Sequence, residues 1–126
     1  MSNSLDMFQT ASAMARHAGA RQTMIARNIA NADTPGYQTQ DVAPFTDAMR
    51  STATEQRATR PGHMTTRTTE FSTATTTTTG EPSPNGNTVA IEDELMKSVE
   101  VRQDHDKALA VYRHAMTVLR TSLGKM

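Results

Sequence analysis

An all-α fold, in which long N- and C-terminal helices form an antiparallel, coiled-coil-like pair joined by an extended Thr-rich middle segment, is what this sequence predicts. Three observations carry that expectation. Apolar residues recur at helical spacing through residues 5–30, they recur again from Val89 onward, and between them lies a stretch that cannot build a core. The expected organisation is one structural domain in three parts: 1–37 as the first helix with its closing turn, 38–88 as linker, and 89–126 as the second helix.

In the first helix Phe8, Ala11, Ala15, Ala18, Gln22, Ile25 and Ile29 alternate spacings of three and four. Ala dominates the middle of this stripe and Met7, Met14 and Met24 widen it, so the face suits close helix approach better than a bulky core. Asn31-Ala-Asp-Thr-Pro-Gly-Tyr37 ends the helix. Pro35 restricts Thr34 to extended geometry and Gly36 can take a positive φ, which predicts a type II turn over Thr34, Pro35, Gly36 and Tyr37.

Residues 51–88 differ in kind, because 14 of these 38 residues are Thr and only Ala53, Ala58, Met64, Phe71 and Ala74 are apolar. An extended or disordered linker follows from that composition, with a short strand pair around Phe71 where a neighbour supplies a surface. From Val89 the period returns through Ile91, Leu95, Ser98, Arg102, His105, Leu109, Tyr112, Met116, Leu119 and Leu123, a seam with a polar middle. Glu92, Asp93 and Glu94 open this helix and Lys107, Arg113, Arg120 and Lys125 occupy its second half, complementing the helix dipole at both ends. Gly124 marks its stop.

Composition narrows the function. The chain has 126 residues with 13 basic and 13 acidic side chains, 4% aromatic content and no Cys or Trp, which makes an independently stable core doubtful. Charges balance 4 against 4 in residues 1–50, 3 against 3 in 51–88 and 6 against 6 in 89–126, so no third offers the basic footprint of a nucleic-acid binder. Absence of Cys excludes disulfides and thiolate chemistry. The apolar runs fall far short of the roughly 20 residues that span a bilayer, and the N-terminus lacks the pattern of a cleaved secretory signal, so export is expected to use another route.

No active site, metal or cofactor is expected. His17, His63, His105 and His114 include no i, i+4 pair, and Asp104, His105 and Asp106 point to different faces of a helix. There is no phosphate-cradling Gly loop and no nucleophile elbow. Arg16, Arg21 and Arg27 suggest a transit peptide or membrane-surface helix, but Asp6 and the Asn31–Tyr37 ending argue against it.

One helix pair buries one stripe. The second apolar strip of the C-terminal helix (Val101, Ala108, Val111, Ala115, Val118) and the Met-bearing flank of the first helix are therefore expected to stay wet in a monomer, at about 25 cal/mol per Å², unless neighbouring chains cover them.

Residues 25–37, Ile-Ala-Arg-Asn-Ile-Ala-Asn-Ala-Asp-Thr-Pro-Gly-Tyr, closely resemble the N-terminal signature of bacterial flagellar axial proteins, the rod and hook family. Arg60-Pro-Gly-His-Met64 and Gly86-Asn-Thr-Val-Ala-Ile-Glu-Asp-Glu-Leu95 resemble elements of its proximal rod branch. The resemblance implies a non-enzymatic rod subunit, exported unfolded through the flagellar type III apparatus and assembled into a helical tube that transmits torque. It implies as partners further copies of the chain, other flagellar rod subunits, the ring-rod junction protein and the export gate, and a site in the basal body within the periplasm. The competing class is a soluble two-helix adaptor forming a small oligomer.

Residues expected to carry subunit packing are Phe8, Ile25, Asn28, Ile29, Asn31, Leu95, Leu109, Tyr112, Met116, Leu119 and Leu123. Asn28 and Asn31 read either as polar residues that bond local carbonyls near a helix end or as amides reaching a neighbour's helix. Tyr37 reads as a turn residue that docks on an adjacent helix. The chain departs from the family pattern at Ala90, where many relatives are acidic, and at His105, where they carry Tyr. Thr88 is the expected substitute cap for the second helix.

Overall fold

A computed structural model describes residues 2–47, 75–77 and 80–124. The expectations for Phe71, His63 and the Arg60–Met64 stretch lie outside these residues. Four elements are described: α1 (Ser2–Ala30), β1 (Gln40–Val42), β2 (Thr75–Thr77) and α2 (Ile91–Gly124). Proline is absent from both helices, and α1 is rich in Ala, the strongest helix former. At 1.5 Å per residue the 29 residues of α1 and 34 of α2 span about 44 and about 51 Å.

The helices run antiparallel. Phe8 meets Tyr112 edge to face at 5.2 Å, Arg21 reaches Glu100 at 3.6 Å, and Asn28 reaches Glu94 at 3.2 Å, so each step up α1 is matched by a step down α2. Their shared face is a heptad column on each side: Ala11, Ala18 and Ile25 on α1, and Glu94, Val101, Ala108 and Ala115 on α2, all at most 3% exposed.

This reverses the expected roles over part of the two strips on α2, since Val118 of the second strip stays 42% exposed as expected. Val101, Ala108 and Ala115 face the partner helix, while Ile91, Leu95, Leu109, Tyr112 and Leu123 are 39% to 60% exposed. Small side chains on both helices let the backbones approach, whereas the larger seam carries Arg102 and His105 in its middle and cannot enter an apolar interior without stranding them.

The chain leaves α1 through the expected turn. Tyr37 N donates to the Thr34 carbonyl (3.3 Å) and Gly36 has φ +75°, the geometry of a type II turn. Replacing Gly36 by Ala is expected to cost about 1 kcal/mol, since a Cβ is strained at this φ even where space is open. Thermal unfolding would show it as a drop of a few degrees.

After the turn, β1 pairs antiparallel with β2, Gln40 opposite Thr77 and Val42 opposite Thr75. The Thr run, expected as linker, thus contributes a strand to this pair. Val42 is buried, and His17 of α1 is buried beneath the segment that follows, where its Nε2 donates to the Ala43 carbonyl (2.6 Å) and its ring meets Phe45 edge-on.

Thr88 does not cap α2. Its hydroxyl accepts from the Thr39 backbone N–H (2.8 Å) and lies 3.0 Å from the Thr39 hydroxyl, so it ties the two connecting strands of chain together. Ala90 occupies the cap position, its carbonyl accepting from Glu94 N (3.1 Å). With no cap side chain there, Glu92 and Asp93 in the first turn supply the favourable charge at the helix start.

Candidate functional site

Two features stand out where the helices meet the connection, a polar knot inside the chain and an apolar strip outside it. The knot centres on Asn28, which is 0% exposed and uses every hydrogen-bonding position of its amide. Its Nδ2 donates to the Gln40 carbonyl (2.6 Å) and to Glu94 Oε2 (3.2 Å). Its Oδ1 accepts from the Tyr37 hydroxyl (3.1 Å) and from Gln40 N (3.2 Å). One side chain therefore joins α1, the turn, β1 and α2.

Glu94 is 1% exposed, and a buried carboxylate is tolerable only when paired. Lys97 Nζ lies 3.1 Å from its Oε1 and 3.9 Å from Asp41 Oδ2. Asp41 Oδ1 in turn accepts from Arg21 Nε at 3.3 Å, and Arg21 extends to Glu100. The opposite charges alternate from α2 through β1 to α1 and back, and among the described residues no buried side-chain polar atom lacks a partner.

Asn87, 2% exposed, closes the knot from the far side. Its Nδ2 donates toward the carbonyls of Asn31, Ala32 and Thr34 at 2.8, 2.9 and 2.7 Å, which are the carbonyls that the end of α1 and its turn leave without helical partners. Backbone bonds flank it: Gly36 N donates to Asn85 O (3.0 Å) and Thr88 N to Tyr37 O (3.1 Å).

Several residues expected at subunit contacts are thus engaged within the chain. Asn28 has no free valence for a neighbour, and Tyr37 docks on its own α1 rather than on an adjacent helix. Asn31 takes the local option, its Nδ2 donating to Arg27 O (2.8 Å) and its Oδ1 accepting from Thr34 (3.2 Å). Ile25 is in the heptad column and Phe8 packs on Tyr112. Met116 and Leu119 are half-buried on the flank of the pair.

Outside remains a strip along α2. Leu95 is 54% exposed, Leu109 39%, Tyr112 45% and Leu123 60%, with Ile91 at one end; Ile29 of α1 is 38% exposed. These positions follow the three-and-four spacing read from the sequence, so the residues share one flank of the helix.

The sequence reading missed Glu94 and Asn87 as structural centres, and Arg21, Asp41 and Lys97 as their supports. The seven-residue spacing of Glu94 with Val101, Ala108 and Ala115 was the available signal for the first. Nothing local marks Asn87. Among the described residues no group of three His, Cys, Asp or Glu side chains is placed to hold a metal ion. No helix there is long and apolar enough to cross a membrane.

Comparison with known proteins gives two matches. Residues 10–38, the stretch containing Asn28 and the type II turn, match the family described as flagella basal body rod protein. The flagellar basal body rod protein FlgB of Agrobacterium fabrum (strain C58) is 31% identical over 111 residues, covering 81% of this chain and 81% of that protein.

Proposed function

The chain belongs to the flagellar basal body rod protein family, and from that premise we propose that the outward strip of α2 is the surface through which it joins neighbouring rod subunits. It is a structural protein of the rod, resembling the proximal rod protein FlgB, and not an enzyme. It assembles with other rod components in the service of motility.

The observation that supports the strip is the division of labour on α2. The helix pair is closed by Ala, Val and Ile25, while the larger Leu95, Leu109 and Leu123 stay outside and Tyr112, edge to face with Phe8, stays 45% exposed. Burying one such Leu is worth about 1.5 to 3 kcal/mol, so a row of them supplies the association energy that a thin pair cannot supply for itself. Copies of this chain and other rod subunits ranked side by side cover the strip, forming a tube that carries torque. The further partners are the ring-rod junction protein and, during export through the type III apparatus, the export gate; the assembled position is in the periplasm.

Leu109→Asp tests this reading. Leu109 lies outside the heptad column, so circular dichroism of the purified variant should match the parent. Cells whose only copy carries the substitution should build no rods by electron microscopy of basal bodies, and should not spread in soft agar. Normal rods and swimming would remove the strip from the interface. A wild-type chain that sediments as a discrete dimer and is absent from basal bodies would favour the adaptor class instead.

A further inference from the structure

We propose that the polar knot of Asn28, Glu94 and Asn87, and not the apolar column between the helices, sets the register of α1 on α2. The apolar column cannot do so alone. Its members repeat every seven residues on both helices, Ala11, Ala18 and Ile25 against Glu94, Val101, Ala108 and Ala115. A slide of α2 by seven residues, about 10 Å along the axis, would bring small apolar residues of the same column together again. In one direction the slide even sets Ala11, Ala18 and Ile25 against Ala115, Ala108 and Val101, leaving Glu94 off the α1 column. That register parts Phe8 from Tyr112 but leaves the column itself wholly apolar.

Besides the Phe8–Tyr112 contact and the Arg21–Glu100 pair, what distinguishes the observed register is polar and lies at one end. Only there does the buried carboxylate of the column meet the buried Asn28 amide of α1, at 3.2 Å. Only there does Asn87 reach the three carbonyls beyond α1. In the slid register Glu94 would be carried about 10 Å from Asn28, leaving one donor of the buried amide and one oxygen of the buried carboxylate without each other, and a buried polar group without a partner is unfavourable. A lone polar residue on an apolar helix face fixes alignment in coiled coils by the same reasoning. The inference concerns the chain itself and does not depend on which neighbour covers the outer strip.

Because the chain has no Cys, cysteines introduced at Ser12 and Thr121, both exposed, give a clean pair of spin-label sites on the full-length protein. Pulsed electron paramagnetic resonance on the parent should show one inter-helix distance. In the triple variant Asn28→Leu, Glu94→Leu, Asn87→Ala, a second population should appear, displaced by about 10 Å, with far-UV circular dichroism retained. Val101→Ala, which weakens the apolar column and leaves the knot intact, should keep the single parental distance. An unchanged single distance in the triple variant overturns the proposal. So does loss of helicity in that variant, since the knot would then hold the fold rather than its alignment, and so does a second distance in Val101→Ala.

Discussion

Asn28→Ala is expected to lower the stability of the free chain by about 3 kcal/mol, the largest effect of any single truncation in the helix pair. The amide makes four hydrogen bonds with Gln40 O, Gln40 N, Tyr37 and Glu94. Removing it orphans both backbone groups of Gln40 and one oxygen of a carboxylate that is 1% exposed. Each buried group left unsatisfied costs about 1 to 3 kcal/mol, and water admitted by the smaller side chain recovers part of that. Asn31→Ala is the control: its bonds to Arg27 and Thr34 are local and exposed, so its loss should stay near or below about 1 kcal/mol. Urea unfolding followed at 222 nm measures both. Equal losses for the two variants would mean that Asn28 is not the centre described here. For scale, small domains have about 5 to 15 kcal/mol in total.

Ala108→Leu should destabilise by about 1 to 3 kcal/mol, while Leu109→Ala, one residue along, should change the free chain by less than about 0.5 kcal/mol. Ala108 is 1% exposed in the face where the helices approach most closely, and three added carbons must push the backbones apart. Leu109 is 39% exposed on the outer strip. Their effects on assembly should be reversed in kind: Leu109→Ala removes apolar surface from the proposed interface and should weaken rod incorporation in cells at unchanged melting temperature. Measuring the melt and basal-body yield for both variants separates the inner face from the outer one. A larger loss of stability for Leu109→Ala would restore the original assignment of the seam.

That assignment shows where sequence reasoning ran out. The extent of both helices follows from their period, and the turn follows from Pro35 and Gly36, because those signals are local. Which strip lies inside the pair is not local. Read along α2 alone, Ile91 to Leu123 is the more hydrophobic series, and the column that is actually buried begins with a carboxylate. Glu94 can be buried because Asn28, 66 residues away, and Lys97 meet it, and no pattern within α2 announces the first of these. Thr75–Thr77 likewise lacks the alternation of a strand; its pairing with Gln40–Val42 depends on where the turn after α1 directs the chain. Of the residues expected to pack between subunits, Leu95, Leu109 and Leu123 do lie on an open face, Tyr112 is shared between that face and Phe8, and Asn28 and Tyr37 were drawn inward by each other.

The Ala-lined face between α1 and α2 bears on the girth of the pair. Helices that meet through Ala and Val can bring their axes to about 8 Å, against about 10 Å where larger side chains intervene. Each subunit therefore offers a slender rib rather than a stout one. In the tube proposed above, the number of ribs that can stand abreast around a channel of given radius is the circumference divided by their width. Enlarging a single methyl at Ala18 or Ala108 would widen every rib at once, and the mismatch would accumulate around the ring.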